Sequence, residues 1–67
     1  MGRDYEALRR KILGKYGRLA PFAAELGITI STLSAKLKGK TDWKREEIAR
    51  CVELLELTPE EAMAIFF

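Results

Sequence analysis

Histidine is absent from this 67-residue sequence, and cysteine occurs only once, at Cys51. A zinc site built from Cys and His cannot form, and neither can a Ser-His-Asp or Cys-His catalytic set. One cysteine also excludes an internal disulfide, so Cys51 is expected to be a small buried apolar residue in a reducing compartment. We therefore predict no catalytic residue, no metal, no cofactor and no small-molecule ligand.

Long apolar runs and strand-like alternation are also missing. No apolar stretch approaches the roughly 18–20 residues of a membrane span. The N-terminus lacks the apolar segment of a secretory signal, so neither export nor a membrane partner is expected. Proline occurs at only two positions, and apolar residues follow helical spacing almost throughout. The sequence predicts an all-α fold, with residues 1–67 forming a single domain that a second copy would help to stabilise.

The net charge of +2 conceals a split along the chain. Residues 1–45 carry eleven basic and four acidic side chains, a net charge of +7. Residues 46–67 carry one basic and six acidic side chains, a net charge of −5. Such asymmetry indicates one surface suited to an anionic partner.

Polar and glycine breaks divide the chain into five predicted helices. These helices cover residues 4–16, 18–26, 30–38, 44–55 and 58 onward. Asp4, Thr29 and Thr58 are suitable N-caps for the first, third and fifth helices, and Thr41 or Asp42 for the fourth. Thr58 also opens a Thr-Pro-Glu-Glu capping box.

The strongest pattern lies in residues 19–39, where two short helices flank a three-residue turn that contains glycine. This is the arrangement of a helix-turn-helix unit. The close helix crossing needs a small residue, Ala23, and the turn needs a residue that tolerates positive φ, Gly27. Ile28 is expected to fill the gap beneath the turn, and Leu33 to anchor the second helix on the first.

The stretch F-A-A-E-L-G-I-T-x-S-T-L-S, from Phe22 to Ser34, resembles the helix-turn-helix of the Cro/repressor family of small phage and bacterial regulators. The resemblance extends over the whole chain and implies a compact five-helix, lambda-repressor-like domain with a central helix-turn-helix. Lys36 departs from the family pattern, which usually has an apolar residue there, and Leu37 follows it. We therefore expect the end of the third helix to be rotated or differently packed.

The resemblance also implies a function: sequence-specific binding of double-stranded DNA by a small dimeric transcriptional regulator. It would be a phage or prophage Cro-like repressor on an operator, in the bacterial host cytoplasm at the nucleoid. In this family the second helix of the motif enters the major groove. Base reading is accordingly assigned to Ile30, Ser31, Thr32, Ser34 and Ala35. Contacts to the DNA backbone are assigned to Arg18, Thr29, Lys36, Lys38, Lys40, Thr41, Lys44 and Arg45.

Several positions keep a second interpretation. Ile30 shares helical spacing with the leucines of its helix, so it fits either the core or a DNA base. Trp43 fits either a cap over the core or a contact to the sugar-phosphate backbone. Phe66 and Phe67 either fold back onto the domain or pack, with Ile65, in a dimer interface. The alternative function is a helical protein-interaction module that binds no DNA, or the antitoxin-like partner of another protein.

Overall fold

The computed structural model describes residues 4–67, and these residues form five α-helices and no β-strand. The helices are α1 (Tyr5–Tyr16), α2 (Leu19–Leu26), α3 (Ile30–Leu37), α4 (Arg45–Leu55) and α5 (Pro59–Phe66). The prediction of an all-α, five-helix protein is confirmed, and each predicted helix boundary holds to within one residue. None of the helices in the described range is long and apolar enough to cross a membrane.

Side-chain caps start three of the helices as predicted. The side-chain oxygens of Asp4, Thr29 and Thr58 each accept a hydrogen bond, at 3.1 Å, from the backbone N–H three residues further on. At α5 the contact is reciprocal, because the backbone N–H of Thr58 donates to Oε1 of Glu61 at 2.8 Å. These local contacts satisfy donors that a helix N-terminus leaves without intrahelical partners.

The start of α4 differs from the prediction, because neither Thr41 nor Asp42 caps it. The N-cap is Lys44, whose backbone N–H donates to Oε1 of Glu47 at 2.8 Å. A lysine side chain has no acceptor, so only the Glu47 half of a capping box forms. Asp42 stays in the preceding loop, where its backbone carbonyl accepts a hydrogen bond from Nζ of Lys36 at 2.8 Å.

A single core cluster receives side chains from all five helices, and α1 packs against each of the other four. The buried apolar residues are Leu8, Ile12, Phe22, Ala23, Leu33, Cys51, Leu57, Ile65 and Phe66. Full burial of one large side chain of this kind is worth about 1.5–3 kcal/mol. Leu8 and Ile12 form the centre of the inward face of α1, and Cys51 is buried as expected.

The C-terminal end of α5 folds back onto the start of the chain. Ile65 and Phe66 are only 2% and 5% exposed, and the Ile65 carbonyl accepts a hydrogen bond from the Asp4 N–H at 3.1 Å. Trp43 packs edge-on against Phe66 with ring centroids 5.3 Å apart, so it caps the core. The predicted dimer role of Ile65 and Phe66 is therefore wrong, because both side chains are already buried within one copy of the protein. Phe67 stays 65% exposed.

Candidate nucleic-acid interface

The turn between α2 and α3 has the geometry that its sequence predicts. Gly27 adopts a left-handed conformation (φ 79°, ψ 26°), which an L-residue with a Cβ takes at a steric cost. The next backbone N–H, that of Ile28, donates to the Ala23 carbonyl at 3.0 Å. Ala23 and Leu33 are both buried at the contact between the two helices. The turn thus fixes α3 against α2 with the outer face of α3 exposed.

That outer face contains a shallow depression of about 420 Å³, which we call the α3 depression. It is lined by Ile30, Ser31, Ser34, Ala35, Lys38 and Lys40. Four of the five residues assigned to base reading therefore share one concave surface with two lysines assigned to the DNA backbone. Helix periodicity explains the grouping, because residues three and four positions apart on α3 lie on the same side.

The exposure of Ile30 and the hydrogen bonds of Thr32 decide the roles of these two residues of α3. Ile30 is 52% exposed, so the interpretation of Ile30 as a core residue is wrong. Thr32 is exposed but does not line the α3 depression. Its hydroxyl oxygen accepts a hydrogen bond from Oγ1 of Thr29 at 3.0 Å. Thr29 Oγ1 also accepts a hydrogen bond from the Thr32 N–H as the helix cap. The Thr32 hydroxyl is therefore part of the hydrogen-bonded cap at the start of α3.

Lys36, assigned from sequence to the DNA backbone, lies inside the protein. Its residue surface is 4% exposed, and Nζ lies 2.9 Å from Oε1 of Glu47 and 2.8 Å from the carbonyl oxygen of Asp42. The same ammonium group lies 5.6 Å from the ring centroid of Trp43. Position 36 therefore keeps the inward orientation expected of an apolar residue, while Leu37 is half-buried. Of the two expected outcomes for the end of α3, rotation is wrong and different packing is confirmed, because an ion pair with Glu47 neutralises the buried lysine.

The carboxyl group of Glu47 is held in its charged form. Burial raises its pKa, but hydrogen bonds from the Lys44 backbone N–H and from Lys36, together with the charges of both lysines, outweigh that effect. The net result is a pKa below the ordinary value of 4.5. The contact between Lys36 and Glu47 is therefore an ion pair at neutral pH. It joins the end of α3 to the first turn of α4 across the loop that contains Lys38 and Lys40.

Ion pairs divide the cations of the protein into two sets. Four cations pair with carboxylates: Lys11 with Glu61 (2.8 Å), Lys15 with Glu56 (3.9 Å), Lys36 with Glu47 (2.9 Å) and Arg50 with Glu53 (3.1 Å). Within residues 4–67, seven cations make no ion pair: Arg9, Arg10, Arg18, Lys38, Lys40, Lys44 and Arg45. We call these seven the unpaired cations. They include every basic residue assigned to the DNA backbone except Lys36, and all seven are exposed, as is Thr41 in the loop before α4.

Arg9 belongs to this surface, although the sequence assignment left it out. A second depression, of about 260 Å³, adjoins the first and shares Ser34 and Lys38 with it. Arg9 and Glu6 of α1 line this depression together with Leu19. The only sequence signal is the position of Arg9 directly after Leu8, which is a buried residue of α1. That position places Arg9 next to a packing partner but does not reveal that the partner is α3.

Comparison with known families gives the wider context of the chain. A family model described as "Protein of unknown function (DUF739)" matches residues 1–67, which is the entire sequence. No curated protein matches the chain. Because the family match covers all five helices and the α3 depression, the chain belongs to the DUF739 family.

Proposed function

We propose that this protein binds double-stranded DNA in a sequence-specific manner and acts as a small transcriptional regulator. In this proposal it is a Cro-like repressor of a phage or prophage that occupies an operator as a dimer in the bacterial cytoplasm. The α3 depression carries the proposal, since it combines hydroxyl and apolar side chains of one helix with exposed lysines. The major groove of B-DNA admits an α-helix and presents distinguishable base edges.

The charge distribution supports the same proposal. Lys38 and Lys40 line the α3 depression, and neither makes an ion pair within the described residues. Contacts between such lysines and DNA phosphates supply affinity and register, while contacts to base edges supply sequence preference. Lys44 and Arg45 add two further exposed positive charges where the following loop enters α4.

A dimer is supported by the exposed end of α5. Met63 and Phe67 are 61% and 65% exposed, and their spacing of four residues brings them to one side of the helix end. A second copy that covers both would remove a large apolar area from water. A two-fold dimer would offer one α3 to each of two half-sites about 34 Å apart. The same two side chains also favour the alternative function, a module that binds another protein.

The DNA proposal is tested by the salt dependence of binding to a fluorescently labelled duplex. The logarithm of the binding constant should fall linearly with the logarithm of salt concentration, with a slope of about −0.9 per phosphate neutralised. The double variant Lys38→Ala/Lys40→Ala should reduce that slope by about 1.8 per copy. The matched control Lys11→Ala/Lys15→Ala removes two lysines that are already in ion pairs, and should leave the slope unchanged.

Two results would contradict the proposal. The wild-type protein would bind no duplex, or bind it without salt dependence, which favours the protein-interaction alternative. Equal slopes for the two double variants would show that the α3 depression is not the contact surface. Circular dichroism of both variants keeps these results separate from a loss of folding, because all four lysines are exposed or half-buried.

The dimer is tested by sedimentation of the double variant Met63→Ala/Phe67→Ala beside the wild type. We expect a dimer for the wild type and a monomer for the variant, with the helical circular dichroism signal retained because neither side chain is buried. A wild-type monomer on duplex DNA would remove the dimer from the proposal and leave single half-site binding.

A further inference from the structure

The α3 depression offers an unusual set of groups for reading bases. Its lining consists of two apolar side chains, Ile30 and Ala35, two hydroxyls, Ser31 and Ser34, and two lysines. No arginine, asparagine, glutamine or carboxylate of the described residues lines it. The bidentate contacts by which arginine reads guanine, and asparagine or glutamine reads adenine, are therefore not available there. Hydroxyls bond to any base, so they add little discrimination.

The apolar part of the lining gives the depression its selectivity. Ile30 is the first residue of α3 and keeps 52% of its surface exposed, which costs free energy until something apolar covers it. In the major groove the one apolar group on a base edge is the 5-methyl group of thymine. The five-residue spacing of Ile30 and Ala35 corresponds to about 7.5 Å along the helix axis, roughly two base-pair steps.

We infer that the α3 depression reads the 5-methyl groups of thymines, with Ile30 and Ala35 as the contact residues. This inference rests on the proposed function, since it names what the DNA-binding surface selects. The lysines at one end of the depression are complementary in charge to the phosphates that flank those thymines. The preferred operator contains thymines about two steps apart in each half-site, and the methyl groups bury the exposed surface of Ile30.

The test uses duplexes of about 20 base pairs, long enough for two half-sites, selected by the wild-type protein from a random pool. Each selected duplex is then synthesised with thymidine or with 2′-deoxyuridine, which keeps the base pairing and lacks only the methyl group. We expect the wild type to bind the deoxyuridine duplex about fourfold more weakly for each contacted methyl. Single replacements along the duplex then identify the contacted thymines.

Two variants connect the methyl effect to Ile30. Ile30→Ala should lose the deoxyuridine penalty at one thymine of each half-site and retain it at the other. Leu13→Ala is the matched control, because Leu13 is an exposed aliphatic residue on α1 that does not line the depression. This control should show the full wild-type penalty at every position.

Failure of the inference differs from failure of the proposed function. Equal wild-type affinity for thymidine and deoxyuridine duplexes, with salt-dependent binding retained, overturns methyl reading and leaves the DNA proposal standing. An Ile30→Ala variant that keeps the full penalty at every thymine overturns the role of Ile30. A wild-type protein that selects no duplex from the pool overturns sequence-specific binding and methyl reading together.

Discussion

The surface around α3 and the half formed by α4 and α5 use their charges in opposite ways. Cations from α3 to the start of α4 are exposed and, within residues 4–67, make no ion pair except at Lys36. In α4 and α5, by contrast, Glu47 and Glu61 each bind a lysine and also accept the backbone N–H of a helix cap. The comparison shows that Glu47 and Glu61 of the acidic half take part in holding the fold together, while the basic side chains around α3, apart from Lys36, stay exposed.

Two lysines at the C-terminal end of α3, Lys36 in its last turn and Lys38 at its C-cap, display the same difference at close range. Lys36 is buried against Glu47, and Lys38, two residues later, is exposed in the α3 depression. Two positions along a helix correspond to a turn of about 200°, so neighbouring lysines of equal charge face opposite environments. Net charge alone therefore does not distinguish a structural cation from one that is available to bind phosphate.

The largest expected effect comes from breaking the buried ion pair. Glu47→Ala leaves the Lys36 ammonium group buried without its counter-charge, which we expect to lower the free energy of unfolding by about 3–5 kcal/mol. Urea unfolding measures the change. The control Glu46→Ala removes an exposed carboxylate from the same helix turn and should change stability by less than about 0.5 kcal/mol.

Replacing both members of the buried ion pair by apolar residues tests whether the charges themselves are needed for stability. The double variant Lys36→Met/Glu47→Leu should be as stable as the wild type or more stable by about 1–4 kcal/mol, because no charge is then buried. Equal stabilities of Glu47→Ala and Glu46→Ala would show that the acidic half does not hold the fold in the way described.

Acidification should lower the free energy of unfolding of the wild-type protein, because it protonates carboxylates of the acidic half. In the folded protein, Glu47 and Glu61 have pKa values below the ordinary 4.5; for Glu61 the first cause is the hydrogen bond from Lys11. Both carboxyls bind protons less tightly when folded than when unfolded. Their stabilisation is therefore present above pH 4.5 and is lost as the pH falls through the folded-state pKa values. The urea midpoint measured from pH 7 to pH 2 should show this fall.

The acid effect has its own check. Lys36→Met/Glu47→Leu should lose less stability than the wild type over the same pH range, since one of the two carboxyls is gone. Parallel pH profiles for the two proteins would assign the acid sensitivity to groups outside the buried pair.

A smaller effect is expected at the start of α5. Thr58→Ala removes the side-chain acceptor for the Glu61 N–H and should cost about 1 kcal/mol in the free energy of unfolding. Thr58→Ser keeps the hydroxyl and should stay close to the wild type. Calorimetry of the three proteins checks the order, and a loss in Thr58→Ser equal to that in Thr58→Ala would contradict a capping role.

The smallest effect concerns the exposed ion pairs that bridge the two halves. Lys11→Ala removes a pair with Glu61 in which both side chains are 38% exposed, so we expect a loss of at most about 1 kcal/mol. The change should shrink at 1 M salt because exposed pairs are screened. A loss above 2 kcal/mol that persists at high salt would mean that the pair matters as much as the buried one.

Local chemistry made much of the fold predictable. The packing of α2 against α3 depends on Ala23, Gly27 and Leu33, which lie within about ten residues of one another, and the caps at Thr29 and Thr58 act over three. Short-range interactions of this kind can be read from spacing. For the same reason, four of the five residues assigned to base reading lie together on one face of α3.

Most of the incorrect predictions concern contacts across the tertiary structure, and the N-cap of α4 is the local exception. Lys36 is buried because it forms an ion pair with Glu47, which lies eleven positions later in the chain. No local sequence pattern predicts that contact. Arg9 lines the second depression, beside the α3 depression, only because α1 packs against α3. Phe66 is buried and packs against Trp43, which lies 23 positions earlier in the chain. Each of these positions depends on which helices become neighbours, which spacing along the chain does not specify.

Burial of the single cysteine makes the rate of its chemical labelling a measure of how often the core opens. Burial, aided by the charge of Glu47, raises the pKa of the Cys51 thiol to about 12, and the side chain is fully enclosed. Because the thiolate is the reactive form, a thiol reagent at neutral pH modifies Cys51 only when the surrounding helices open. The labelling rate therefore reports how often the core opens, from one native atom and without an added probe.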